Sequence, residues 1–130
     1  MQFKDLENIL AGDILQMAHP GQGIKYLLTD SRKSILGPES LFFAITGPNH
    51  DGNTFVNDMY QRGCRQFILE RAPTIEMHGA NILLVEDTIR ALQKIAAAHR
   101  RNYTLPVIGV AGSNGKTIVK EWLSQLLSRK

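Results

Sequence analysis

Val107-Ile108-Gly109-Val110-Ala111-Gly112-Ser113-Asn114-Gly115-Lys116-Thr117 runs from an apolar stretch through a glycine turn to a Lys-Thr pair, and its reading decides the fold class. The apolar residues 105–111 predict a strand buried on both faces. Pro106 stands near its start, where proline is tolerated. After Thr117, the residues Val119, Trp122, Leu123, Leu126 and Leu127 form an apolar stripe at helical spacing. Strand, glycine loop and helix in this order are the context of a phosphate-binding loop. Gly112 and Gly115 allow the backbone to wrap closely and turn its N–H groups inward. Ser113 and Asn114 complete the loop, and the helix start adds the positive end of its dipole. Lys116 supplies a point charge for β- and γ-phosphates, and the Thr117 hydroxyl can join the coordination of Mg²⁺. The strictest pattern wants a glycine where Val110 stands; glycines fall at Gly109 and Gly112 instead. A tight turn with an incidental lysine is the bland alternative, and the agreement of strand, loop and helix argues against it.

Upstream, strands and helices alternate, which places the chain in the α/β class. Phe3, Leu6, Ile9 and Leu10 have helical spacing, with Gly12 as the stop. Residues 26–29 and 41–45 read as strands separated by the Gly37-Pro38 turn. Residues 46–53 are rich in turn formers and read as a loop. A helix then carries Phe55, Val56, Met59 and Tyr60 and stops at Gly63. Residues 67–69 and 82–85 are further strands. Asp87 is placed to cap a long helix whose inner face would be Ile89, Leu92, Ala96, His99 and Tyr103. The cations His99, Arg100 and Arg101 suit that helix's end. A boundary near 102–105 divides a first domain, 1–104, from the start of a second, 105–130. The second piece is too small to bury its own apolar faces, so the sequence reads as stopping within a domain.

The bulk properties narrow the function. Of the 130 residues, 43% are hydrophobic and 21% charged, a globular mixture. The net charge of +3 suits an anionic ligand and is too small to imply nucleic acid. Cys64, the single cysteine, cannot form an internal disulfide and reads as a small buried residue. No apolar stretch approaches a membrane span or a signal peptide, so the chain reads as cytosolic and without membrane insertion.

Two further segments hold candidate ligand residues. Asp30-Ser31-Arg32 follows a strand directly. A serine hydroxyl there can hydrogen-bond a base edge or ribose, and Arg32 can pair with a diphosphate. Equally, Asp30 can cap backbone N–H groups with Arg32 in a structural ion pair. Thr46, Asn49, His50, Asp51 and Asn53 can line a ligand or satisfy a tight loop.

The run 109–117 resembles the ATP loop of the Mur ligases and folylpolyglutamate synthases, whose loops depart from the strict pattern in the same way. Ala111 stands where the family usually has threonine, and Ile118 where it often has Thr or Ser. Upstream, Thr29-Asp30-Ser31-Arg32, Gly37, Leu41-Phe42-Phe43-Ala44-Ile45, Gly47, Asp51-Gly52 and Phe55 follow in order. This is similar to the uridine-nucleotide domain of the Mur ligases that add the third peptide residue or the terminal dipeptide. Asn53 stands where the family usually has histidine, with His50 just before the Asp-Gly pair. Val85-Glu86-Asp87-Thr88, Ala91-Leu92 and Lys120-Glu121 are most similar to the dipeptide-adding members.

The resemblance covers nearly the whole chain. It implies a mixed sheet with flanking helices that binds the UDP end of a UDP-N-acetylmuramoyl-peptide through Asp30, Ser31, Arg32, Thr46, Asn49, His50, Asp51 and Asn53. The start of an ATP-binding domain follows, with Gly112, Ser113, Asn114, Gly115, Lys116 and Thr117 at the nucleotide, Lys116 and Thr117 in catalysis, and Thr117 on Mg²⁺. It further implies an ATP-dependent ligase that uses D-Ala-D-Ala as second substrate, acts as a monomer, and needs more residues than these 130 for activity. The alternatives are the third-residue-adding ligase and a stand-alone nucleotide-binding module. A kinase with a similar first domain accounts less well for Gly-Ser-Asn-Gly-Lys-Thr.

Overall fold

The computed structural model describes residues 1–32, 37–48 and 50–128. Helix α1 (Phe3–Leu10) buries Phe3, Leu6 and Leu10, the stripe its sequence spacing predicts. It ends on Ala11, which takes the left-handed conformation at φ 51°, and not on Gly12. Gly12 is needed for a different reason: a Cβ there would lie 2.4 Å from the carbonyl oxygen of Leu84.

Five strands form the main sheet: β1 (Asp13–Met17), β2 (Tyr26–Leu28), β3 (Ser40–Phe43), β6 (Gln66–Leu69) and β7 (Asn81–Leu84), in the order β1-β7-β6-β3-β2. Strands β2, β3, β6 and β7 run parallel, and β1 pairs antiparallel with β7. Sequence periodicity does not find β1. It is an edge strand, largely exposed, and a register irregularity between Ile14 and Gln16 breaks its alternation.

Helix α2 (Val56–Gln61) joins β3 to β6, and α3 (Thr88–Arg101) follows β7. Alternate side chains of the central strands face two apolar layers. Phe42, Phe67, Leu69 and Ile82 pack with Val56 and Met59 of α2. Leu41, Phe43, Ile68 and Leu83 pack with Phe3, Leu6 and Leu10 of α1 and with Ala91 and Ile95 of α3. The mixed sheet with flanking helices is the expected class.

Three expectations need correction. The buried face of α3 is Thr88, Ala91 and Ile95, while Ile89 is 46% exposed and Ala96, His99 and Tyr103 are exposed as well. Two stripes of similar spacing run along this helix, and the one with the small Ala91 lies against α1. Residues 46–53 are not a featureless loop: β4 (Thr46–Gly47) and β5 (His50–Asp51) form a small antiparallel hairpin, and a 3₁₀ turn (Gly52–Phe55) follows. The predicted strand at 105–111 does not form. A strand needs a neighbour to satisfy its backbone groups, and no described strand pairs with these residues. Helix α4 (Lys116–Leu127) does form, with Trp122, Leu126 and Leu127 more than 60% exposed.

Candidate functional site

The four parallel strands end on one side of the sheet, where α/β proteins gather their ligands. Asp30, Ser31 and Arg32 come after β2, the hairpin after β3, Glu70 and Arg71 after β6, and Glu86 and Asp87 after β7. Both predicted segments therefore adjoin this edge.

At 30–32 Asp30 and Arg32 bond to each other. The Arg32 N–H donates to Asp30 Oδ1 at 2.9 Å, and the guanidinium pairs with the same carboxylate, Nη2 to Oδ2 at 2.7 Å. The hydrogen bonds that its guanidinium donates to Asp30 raise the Arg32 pKa above its ordinary value. The Ser31 carbonyl accepts a 2.6 Å hydrogen bond from Arg62 Nη1, which anchors this turn to the end of α2.

The hairpin brings Thr46, Asp51 and Asn53 together. Asp51 Oδ1 accepts from the Asn53 backbone N–H and from Asn53 Nδ2, both at 2.9 Å. Asn53 Nδ2 also reaches Thr46 Oγ1 at 3.3 Å. The second carboxylate oxygen of Asp51 accepts from Arg71 Nη2. The bonds from Asn53, then the Arg71 guanidinium, hold the Asp51 carboxyl below the usual carboxylate range. Asn49 lies outside the described residues, as does the side chain of His50. Gly52 keeps the hairpin close to the sheet, since a Cβ there would lie 2.6 Å from Ala44 C and Ile45 N. Sequence reasoning missed Arg71; its place just after a strand, like that of Asp30, was the available signal.

The neighbour of Arg71 reaches toward α3. Glu70 Oε1 accepts from the Thr88 backbone N–H at 3.0 Å and from Thr88 Oγ1 at 2.8 Å, and Asp87 Oδ1 caps Arg90 N at 2.9 Å. A cleft of about 540 Å³ opens beside this helix start, lined by Asp13, Glu70, Glu86, Asp87, Arg90 and Lys94 among others. None of the described residues predicted to bind a ligand lines it, and two of its acids already cap α3. Cys64 is buried at the opposite end of β6, where its thiol donates to the Ser40 carbonyl at 3.3 Å and burial pushes its pKa up. That is an inert structural cysteine.

The phosphate loop is a separate group. Gly112 and Gly115 take φ values of 147° and 75°, conformations that L side chains rarely adopt. Gly115 caps α4 without a side-chain hydrogen bond, so the first N–H groups of α4 have no side-chain cap. Lys116 is the first residue of α4 and Thr117 the second, and the Lys116 ammonium donates to the carbonyls of Gly112 and Ser113. Ser113 and Asn114 form the exposed bend between the two glycines. A bare helix start beside a lysine is fit to receive a phosphate. Among the described residues no group of three or more His, Cys, Asp or Glu is placed to hold a metal. No described helix is long and apolar enough to cross a membrane.

No protein-family model matches the chain. Individual proteins do. It is 34% identical over 129 residues to the UDP-N-acetylmuramoyl-tripeptide–D-alanyl-D-alanine ligase of Synechocystis, covering 96% of the chain and 28% of that protein. Its fold superposes on UDP-N-acetylmuramoylalanyl-D-glutamyl-2,6-diaminopimelate–D-alanyl-D-alanyl ligase from Acinetobacter baumannii with a TM-score of 0.84 and 35% identity, over 98% of this chain and 28% of that one. The MurF ligase from Thermotoga maritima, solved in complex with ADP, matches with a TM-score of 0.68 and 33% identity over 82% of this chain and 24% of that one. The chain thus spans less than a third of the length of these relatives. About a third of its residues are identical across nearly its whole length, and its sheet and helices superpose on those of the family's amino-terminal domain: the chain belongs to the Mur ligase family.

Proposed function

We propose that the chain is the nucleotide-gripping part of an ATP-dependent, cytoplasmic ligase that joins D-Ala-D-Ala to UDP-N-acetylmuramoyl-tripeptide. The observation that carries this reading is that one alignment with a dipeptide-adding ligase, 34% identical over 129 residues, spans both the edge segments and the phosphate loop. In the proposed reaction the tripeptide's terminal carboxylate takes the γ-phosphoryl group of ATP. The amine of D-Ala-D-Ala then attacks the acyl phosphate and releases inorganic phosphate.

The division of labour follows the two candidate regions. Residues 1–104 form the precursor-binding domain, with Asp30, Ser31, Arg32, Thr46, Asn49, His50, Asp51 and Asn53 at the UDP end. Holding this distant handle orients the reacting carboxylate. Residues 105–130 begin the ATP-binding domain. Gly112, Ser113, Asn114, Gly115 and the first N–H groups of α4 cradle the phosphates, and Lys116 meets the negative charge that builds on the transferring group. Mg²⁺ bound with the nucleotide would take the Thr117 hydroxyl as a ligand and neutralise phosphate charge.

The test is a titration of the 130-residue chain with UDP-N-acetylmuramic acid, followed by amide chemical shifts. Resonances of Ser31 and of residues 46–53 are expected to move, with weak affinity. A titration to millimolar ligand that moves neither segment refutes the assignment of the precursor site.

A further inference from the structure

A second polar cleft, about 250 Å³, lies between the 3₁₀ turn with the start of α2 and the segment after β6. Among the described residues its polar lining is Asn53, Thr54, Asn57, Arg71 and Thr74, the rest is apolar, and no carboxylate lines it. Four neutral hydrogen-bonding side chains and one guanidinium make a surface suited to an anion. Among the described residues Arg71 is the only charged group in that lining. One of its nitrogens, Nη2, is anchored on Asp51, and among the described residues the guanidinium makes no other hydrogen bond. Guanidinium has five N–H donors in a fixed plane, so the anchor sets the plane and leaves the remaining donors for a ligand. Asp51 is itself held by Asn53, a residue of the same cleft. The anchor therefore belongs to the hairpin and not to an independent surface pair.

We infer that Arg71 binds the diphosphate of the uridine nucleotide in this cleft, with Asp51 fixing the orientation of its guanidinium. The inference rests on reading the hairpin as part of the nucleotide site. It adds a ligand-contacting residue that lies outside both segments named from the sequence. It also gives the Asp51 carboxylate a role other than touching the ligand, since a carboxylate facing a diphosphate directly would repel it.

The experiment compares UDP, uridine and inorganic pyrophosphate on the 130-residue chain at low salt, by amide shifts and calorimetry, for the native chain, Arg71→Lys and Arg71→Gln. Arg71 is 63% exposed, so both variants are expected to fold. UDP and pyrophosphate should move the amides of residues 53–57 and 71–75. Arg71→Gln should weaken UDP on the order of tenfold, the size of a charged hydrogen bond at an exposed site, and leave uridine unchanged. Arg71→Lys, which keeps the charge and loses the fork, should fall between. Equal losses for UDP and uridine would mean that Arg71 only shapes the hairpin, and would overturn the inference. So would UDP shifts at Ser31 and the hairpin that leave the cleft silent and the Arg71→Gln affinity native. No response to UDP or uridine anywhere along the edge would overturn the nucleotide reading itself, and the inference with it.

Discussion

Lys116 turns its ammonium onto the carbonyls of its own loop, at Gly112 and Ser113. Those are neutral acceptors, and a phosphate oxygen offers a charged one, so a nucleotide can draw the side chain away. In a ligase of the length of the relatives, Lys116→Ala should reduce turnover by about 10²–10³ at saturating ATP, as for loss of one preorganised electrostatic stabiliser. Steady-state phosphate release checks this, and near-native turnover would refute the loop's assignment. Asp51 makes a pH-dependent prediction. Its folded-state pKa lies below the usual carboxylate range, through Asn53 first and Arg71 after it. The stabilisation it gives the hairpin is therefore complete above the unfolded carboxylate's pKa and is lost as pH falls through the lower folded value. The Asn53 amide should titrate with a midpoint below that of a free aspartate, and in Asp51→Asn it should be flat over the same acid window. A native midpoint at or above the free value would show that these hydrogen bonds do not form in solution. The Lys-Thr pair and its glycines were legible in the sequence because the motif is contiguous. Arg71 was not, because its partner Asp51 lies 20 residues away and only the fold brings them together.

Helices α1 and α2 were readable from the spacing of their apolar residues, and the parallel strands from short continuous apolar runs, β3 and β6 being buried at every position. The failures have definite causes. Strand β1 is an edge strand with a register break, so its five residues show no clean alternation. Helix α3 offers two stripes that share Leu92, which packs partly buried against the core, and hydrophobicity favours Ile89 over Thr88 and Ala91. What decides is the fit of small side chains against α1 and the capping of Thr88 by Glu70, neither of which is local in sequence. Ile95→Ala should destabilise the chain by about 2–5 kcal/mol, the cost of truncating a buried aliphatic residue. Ile89→Ala should stay within about 0.5 kcal/mol. Urea denaturation of both variants decides between the two faces, and the reverse ranking would restore the sequence expectation.

For the molecule as a whole, no residue from Arg101 to Ser128 is buried, whereas both apolar layers of the sheet are filled from residues 3–95. If 1–104 is a domain, a chain ending at residue 104 should unfold at the same urea midpoint and with the same cooperativity as the 130-residue chain. A loss of more than about 1 kcal/mol would place part of the core in 105–130 and move the boundary; smaller differences lie within the range of surface changes. The two rims of the sheet are also tied in different ways. At the rim where the parallel strands begin, the fastenings run mostly from side-chain amides to backbone groups. Gln66 Nε2 spans the carbonyls of Gly23 and Pro38, Gln16 Nε2 those of Met77 and Ala80, and Asn81 exchanges two bonds with the backbone of His19. Charge enters there as well, in the Arg65 guanidinium on the carbonyls of Tyr60 and Cys64 and in the exposed Lys25–Glu39 pair. At the rim where those strands finish, the fastenings are carboxylates and guanidinium groups: Asp30 with Arg32, Asp51 with Arg71, Glu70 on Thr88. Amides keep their bonding whatever the ionic surroundings, while paired charges are weakened by salt and exchanged readily for a charged guest. The protein is thus built like a clasp, with one side fastened mostly through neutral backbone groups and the opposite side held by paired charges, the same kind of contact that a bound anion would make.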